Sequence, residues 1–440
     1  MMQNPISKIG AREILDSRGN PTVEAQAVLQ DGRVFLASVP SGASKGTHEA
    51  HELRDENKKR YGGLGVQKAC RHIEETIWPG MQRIDPCDLQ KIDKYLIGCD
   101  GRENKTVLGA NTTLAVSILM ARVGAALSEL PLYKHLAKTY AIESSLKIPT
   151  PMMNIINGGK HANNNLNIQE FMIVPEDFES FKEALRAASE IFNELKRILK
   201  DRKDSIAVGD EGGFAPQTIK NPEEAMDLVL LACEKTGYRK QVNVALDLAA
   251  SEFFENNQYT LFPKEPAMDS GKIIQTLKSW CANYPIVSLE DPLAEDDWDG
   301  WSKLTRDLSE NNVLLVGDDL FVTNPKRLRK GIQEKTANAI LIKPNQIGTI
   351  SETAEVVKLA KANGLATIAS HRSGDTEDTA LAHIAVGLGT DGIKTGSLSR
   401  SERLAKYNEL LRIEEELGTG KYHGKLNRTK HAQTLSPNTI

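Results

Sequence analysis

The sequence predicts an α/β protein: a parallel β/α barrel preceded by a smaller α+β domain. Three observations carry this. The chain has 440 residues, more than one small core is expected to hold, so two domains are expected. Its first 140 residues read as strands followed by helices, the order of an α+β unit. The rest keeps a different rhythm, in which a short apolar run ends in polar residues and a helical pattern follows.

In chain order, SKIGAREILD, TVEAQAVL and RVFLASVP read as strands, separated by turn chemistry at SRGNP (17–21) and QDGR (30–33). GANTTLAVSILMARVGAALSEL (109–130) is apolar on nearly every face, which predicts a buried helix. PLYKHLAK opens on Pro131, suited to a first helical turn. AIESSLKIPTP (141–151), with two prolines, is the expected linker. The boundaries expected are therefore an N-terminal α+β domain over 1–140, a barrel over 141–425, and a polar, disordered tail over 426–440.

The barrel rests on VNVALD, PIVSLED, VLLVGDD, NAILIK, LATIASH and GIKTG. Their first polar tips are Asp247, Glu290, Asp318, Lys343, His371 and Lys394, at intervals of 43, 28, 25, 28 and 23 residues. Helical patterns fill most gaps; in SETAEVVKLAKANG (351–364) apolar residues recur at three and four. Parallel strands end on one face, so these six tips converge on one mouth. A single polar tip is uninformative, but six in order are hard to explain as solvated loops.

Composition excludes several classes. Apolar residues are 40% and charged residues 26%, ordinary for a soluble globular chain. A net charge of −4 with no basic block gives no nucleic-acid footprint. Small anionic substrates remain compatible, because one site can be positive inside a mildly acidic protein. Cys70, Cys87, Cys99, Cys233 and Cys281 are odd in number, scattered and without CxxC, so neither a zinc site nor a disulfide framework is expected, and a reducing cytoplasm is. MMQNPISKIGAREI shows no apolar leader. No apolar run approaches the roughly 18–20 residues of a bilayer span, so no membrane insertion is expected.

Within the barrel, Asp247, Glu290 and Asp318 would repel one another unless a cation joined them, and oxygen-only donors favour a hard ion such as Mg²⁺. Taken singly, each acid serves equally well as a helix cap, and Asp319 leaves a one-residue ambiguity. Lys343, desolvated and crowded by cations, is expected to have a lowered pKa and to serve as a general base. Lys394 is placed to clamp an anion, although strand-end lysines ordinarily reach to solvent. In VGDEGGFAP (208–216) the glycines let a loop present Glu211. NGGKHANNNLNIQEF (157–171) reads as a hairpin lining the mouth, carrying His161, Gln169 and Glu170. PSGASKGTHEA (40–50) reads either as a lid or as a plain connection. ASHRSGDTED (369–378) ends a strand on His371, Arg372 and Ser373 and adds three carboxylates, as a solvent turn or an active-site rim would.

DSRGNPTVE, PSGAS, NGGKHANN, QEFM, GDEGGFAP, SLEDP, GDDLFVTNP, KPNQIGT, SHRSG followed by TED, and IKTGSLSRSERLAKYNELLRIEEELG, taken in order, resemble the enolase family from about residue 7 to about 417. The resemblance implies a capping domain and a modified barrel: two antiparallel strands, two helices, then six βα units. It implies reversible dehydration of 2-phosphoglycerate to phosphoenolpyruvate in a cytoplasmic glycolytic homodimer or assembly of dimers, with two Mg²⁺ per site, the second arriving with substrate. It makes Asp247, Glu290 and Asp318 ligands of the first Mg²⁺, and Lys343 the base. Glu211, with Glu170 nearby, becomes the acid, and Lys394 a stabiliser of the enediolate-like charge. Arg372 and Ser373 become phosphate binders, and His371, His161 and Gln169 further contacts. Ser44 becomes the lid residue that reaches the second Mg²⁺. DTED is expected to support the phosphate grip by pairing with nearby basic residues. The family's SGAST reads SGASK here; Lys45 is the one departure in favour of an impaired homologue that binds rather than catalyses. GANTTLAVS for GANAILAVS and SGDTED for SGETED look conservative.

Overall fold

A computed structural model describes residues 5–42, 48–142, 146–261, 266–418 and 420–428. Ser44 and Lys45, and with them the centre of the expected lid, lie outside the described residues, as does 429–440.

The N-terminal domain is built as the alternation of its strands dictates. β1 (Ile6–Leu15), β2 (Pro21–Leu29) and β3 (Val34–Ser38) form an antiparallel sheet in that order. In β2, Val23, Ala25, Ala27 and Leu29 face inward at every second residue. Against the sheet lies α2 (Ala110–Leu127), preceded by α1 (Leu89–Asp100) and followed by α3 (Leu132–Thr139). Pro131 stands just before α3 as its cap rather than in its first turn. By length and composition α2 is apolar enough to cross a bilayer, contrary to the expectation that no run approaches this; it lies instead inside the core, with most of its residues buried.

The second domain closes an eight-stranded barrel. β4 (Thr150–Asn157) and β5 (Glu170–Pro175) come first, then α4 (Phe181–Asp201) and α5 (Pro222–Lys235). Six strand–helix units follow: β6 (Val242–Asp247) with α6 (Ser270–Asn283), β7 (Ile286–Glu290) with α7 (Trp298–Asp307), and β8 (Leu314–Gly317) with α8 (Pro325–Glu334). The last three are β9 (Ala339–Ile342) with α9 (Ile350–Ala362), β10 (Ala366–Ser370) with α10 (Ala380–Gly387), and β11 (Gly392–Lys394) with α11 (Ser401–Leu417). The strand order around the barrel is β8-β9-β10-β11-β4-β5-β6-β7. β5 alone runs against both its neighbours. This reversal brings the start of β5 to the rim where the other strands end. The linker expected over 141–151 stops short, since Thr150 and Pro151 already belong to β4 and pair with β11.

The lumen is filled by side chains, among them Met152, Met172, Val174, Val287, Val316, Leu341 and Ile368. Leu426 joins this cluster, 3% exposed. The sequence starts a polar tail at 426, because one leucine among Lys, Asn and Arg gives no periodic signal. Buried Glu176 nonetheless accepts from the Leu426 backbone N–H at 2.9 Å and pairs with Arg428 at 2.8 Å, seating that leucine. Leu426→Ala is expected to lower the unfolding free energy by about 2–5 kcal/mol, the usual cost of emptying a buried leucine site. Denaturant unfolding reads this, and a loss below about 1 kcal/mol counts against Leu426 as a core residue.

The two domains are joined through the first turn of α9. The Ile350 backbone N–H donates to Ser117 Oγ (3.0 Å) and that of Ser351 to Asp93 Oδ2 (2.8 Å). Lys105, 1% exposed, pairs with Glu352 at 2.7 Å. Thr113 Oγ1 donates to the carbonyl of Gly348 at 2.8 Å. Gly348 holds φ +106°, and a Cβ there would stand 2.9 Å from Thr113 Oγ1, so the approach requires glycine.

Candidate active site

The register of the barrel assembles the site. Asn157 at the end of β4 pairs with Glu170 at the start of β5. Glu170 pairs with Asp247, and Asp247 with Glu290. Asp318, Lys343 and His371 each follow the last residue of their strand, and Lys394 ends its own. The hairpin expected between 157 and 171 is present. It delivers His161, Gln169 and Glu170, all buried.

An open pocket with about 450 Å³ of free space stands at this mouth. Of the residues the sequence singled out, His161, Gln169, Glu170, Glu211, Asp247, Asp318, Lys343, His371, Arg372, Ser373 and Lys394 line it. Glu290 is absent from the lining but reaches it through Lys394.

Lys394 organises the acids. Its Nζ stands 3.1 Å from Glu170, 3.1 Å from Asp247 and 2.7 Å from Glu290. Burial alone would favour the neutral amine; Asp247, Glu170 and Glu290 outweigh it and hold the Lys394 pKa well above the ordinary range. Burial, with the Asp247 charge beside it, raises Glu290 well above the usual carboxylate range despite Lys394.

Lys343 departs from expectation. Burial lowers its pKa, as do Arg372 and Lys394, but the ion pair with Asp318 prevails and the net shift is upward. The sequence revealed the crowding cations and not the partner. Asp318 also accepts from Gln346 Nε2 at 2.9 Å. The ion pair settles which of the two adjacent acids meets Lys343: it is Asp318, while burial, reinforced by Asp318, pushes Asp319 up to about 8.

Glu170 and Glu211 share a site, but their proton affinities are shifted in opposite directions. Burial, and then the neighbouring Glu211, raise Glu170 well above the carboxylate range, and its Oε2 has no hydrogen-bond partner among the described residues. For Glu211 burial also opposes ionisation, but the His161 and His371 rings and Arg403 prevail and hold it well below that range. His161 Nδ1 lies 3.5 Å from Glu211 and 4.0 Å from Glu170. Burial, with Arg403 and Lys394, keeps His371 well below its usual pKa. Arg403 Nη1 lies 2.7 Å from His371 Nδ1. Arginine can only donate, so His371 carries its hydrogen on Nε2, 3.4 Å from Glu211. Of this acid pair, Glu170 is the one whose proton affinity is raised and Glu211 the one whose affinity is lowered.

Glu211 is presented as the glycine-rich sequence suggests. Gly212 holds φ +88°, and a Cβ there would stand 2.6 Å from the Ser399 carbonyl. Asn154 Nδ2 donates to Glu211 Oε2 at 3.1 Å.

The acids of DTED do pair with basic residues. Asp375 meets Lys406 at 3.1 Å and Arg403 at 3.5 Å, and Asp378 meets Arg122 at 2.7 Å, while Glu377 is exposed. Arg403 was missed. Fully buried in the first turn of α11, it donates to the carbonyls of Arg372 and Ser373, each at 2.6 Å. A charged residue at a helix start reads as solvated, so only the run SHRS paired with a later buried cation would have signalled it.

Among the described residues, two groups of acidic or imidazole side chains bring their ligand atoms within 4.8 Å of one another: His161, Glu170 and Glu211, and Asp291, Asp318 and Asp319. The expected trio Asp247, Glu290 and Asp318 is not drawn so close, since Lys394 stands between the first two and Lys343 holds the third. A set of buried oxygen donors is nonetheless the chemistry that a hard divalent cation selects. Asp291, also missed, accepts from the Asp318 and Asp319 backbone N–H groups at 3.0 and 2.8 Å and so orients both acids.

Comparison with known families finds that residues 6–136 match the model described as enolase, N-terminal domain, and residues 145–431 the model described as enolase, C-terminal TIM barrel domain.

Proposed function

From a chain that belongs to the enolase family, we propose an enzyme that reversibly dehydrates 2-phosphoglycerate to phosphoenolpyruvate with Mg²⁺. One observation carries the reading: a lysine paired to an acid and a pair of neighbouring buried carboxyls, Glu170 and Glu211, line the same pocket, beside a buried arginine. Elimination of water needs that set, a base for the carbon-bound proton, an acid for the departing hydroxyl and a cation for the phosphate.

In this reading Lys343 removes the proton on the carbon next to the carboxylate. Lys394 lies against the charge that then spreads into that carboxylate, an electrostatic role. Glu170 and Glu211 act as a dyad holding one proton and give it to the leaving hydroxyl, which departs as water. Arg372 offers its fork to the phosphate with Ser373 beside it. Gln169, His161 and His371 are the remaining substrate contacts. Asp247, Glu290 and Asp318 would hold the first Mg²⁺, and Ser44 is proposed for the second. Held there, Mg²⁺ would supply positive charge beside the substrate, and Asp318, as one of its ligands, would be shared between the ion and Lys343.

The same reading makes the chain a glycolytic and gluconeogenic enzyme of the cytoplasm, supported by its five free cysteines. It also makes the chain a homodimer or an assembly of dimers, as the family typically is. The test is phosphoenolpyruvate formation from 2-phosphoglycerate followed by absorbance, with Mg²⁺, after EDTA, and after Mg²⁺ is restored. Turnover should vanish with EDTA and return with Mg²⁺. A correctly folded chain that binds 2-phosphoglycerate without turning it over would overturn the enzymatic reading.

A further inference from the structure

We propose that Glu49 is a built-in competitor for the anion that Arg372 receives, gripping the guanidinium in the substrate-free protein and yielding it when phosphate arrives. The proposal rests on the reading of Arg372 as the phosphate-binding residue.

The pairing is two-pronged. Arg372 Nη1 donates to Glu49 Oε2 at 2.9 Å and Nη2 to Glu49 Oε1 at 3.1 Å. A carboxylate and a phosphate present the same pair of oxygens to a guanidinium edge, so one edge serves only one of them at a time. The contact is no surface ion pair: the side chains are 4% exposed for Arg372 and 10% for Glu49. It also crosses between domains, with Glu49 supplied by the capping domain and Arg372 by the barrel rim.

The backbone after Glu49 is held independently of its side chain. The chain is pinned immediately after it, the Ala50 N–H donating to the Gln346 carbonyl at 2.9 Å and the His51 N–H to that of Asn104 at 2.7 Å. Leu53 N–H is held by Asn111 Oδ1 at 3.0 Å. A rotation of the Glu49 side chain therefore disturbs none of the backbone beyond it. Gln346 Nε2 reaches Glu49 at 3.3 Å and Asp318 at 2.9 Å, and keeps the second bond if the first is lost. Arg372 Nη1 also has Asn345 Oδ1 at 3.3 Å, which holds the fork in the pocket during the exchange.

A permanent counter-ion would behave oppositely, since its removal would strand a buried guanidinium and loosen the phosphate site. The test is calorimetric titration with inorganic phosphate in Mg²⁺ buffer, for the native protein, Glu49→Gln and Glu49→Asp, each first shown to melt cooperatively. If Glu49 holds Arg372 about nine-tenths of the time, Glu49→Gln should bind phosphate about tenfold tighter. Glu49→Asp keeps the charge but is one methylene too short for the two-pronged contact, so it should fall between the two. The KM for 2-phosphoglycerate should fall in the same order. Unchanged, weaker or absent phosphate binding in Glu49→Gln overturns the proposal. So does tightening in Glu49→Gln with none in Glu49→Asp, which would mean a general charge effect. A native protein that follows the phosphate pattern but does not turn over 2-phosphoglycerate refutes the proposed reaction and leaves the competitor standing.

Discussion

Lys343→Ala is expected to lower turnover of 2-phosphoglycerate by about 10²–10⁴-fold, the range typical of a lost general base. The amine is buried against Asp318 and faces the pocket, with Arg372 and Lys394 as cationic neighbours. Alanine removes both the base and the partner of Asp318, so the single variant conflates two effects. Lys343→Arg separates them: it keeps a cation beside Asp318 but has no proton-accepting form near neutral pH. It should therefore be about as impaired as alanine while retaining more of the affinity for substrate. Solvent deuterium entering the substrate carbon gives the independent readout, because exchange requires the base and not the departure of hydroxyl. Exchange at the native rate in Lys343→Arg would remove Lys343 from that role.

Lys394→Met should damage the fold as well as the chemistry. Glu170, Asp247 and Glu290 are nearly inaccessible, and all three lie within 3.1 Å of the Lys394 ammonium. Removing one partner of a buried ionic cluster typically costs about 3–5 kcal/mol, because the remaining charges stay buried without compensation. Thermal melts in EDTA should show the loss, and Mg²⁺ should recover part of it in the variant. A variant that melts like the native protein in EDTA would mean that these carboxylates are neutral without Lys394, and the electrostatic account of the cluster would fail.

Much of this site was legible because a barrel strand is short and its last polar residue stands out. Asp247, Glu290, Asp318, Lys343, His371 and Lys394 were found that way, and the reversed strand still put Glu170 in their row through its pairing with Asp247. What stayed hidden was distance across the mouth. The lysine among the acids and the Asp318 partner that raises Lys343 join residues more than 20 positions apart, on strands whose facing is set by closure of the barrel. Arg403 and Glu49 were hidden for another reason: charged residues at a helix start and after a glycine-rich loop read as solvated. Leu426 had no periodic neighbours to announce it, and the long apolar run of α2 was identified as buried but not as long enough to span a bilayer.

The join between α9 and the capping domain also bears on how the chain is made. Synthesis runs from the N-terminus, so Asp93, Lys105 and Ser117 leave the ribosome well before the turn that completes them. Lys105 and Glu352 are separated by 247 residues. At about 5–20 residues per second that is a wait of roughly 10–50 s. Throughout it a buried ammonium, a buried carboxylate and the side of α2 that meets the barrel lack their final cover, and the nascent N-terminal domain is a unit in sequence before it is one in energy.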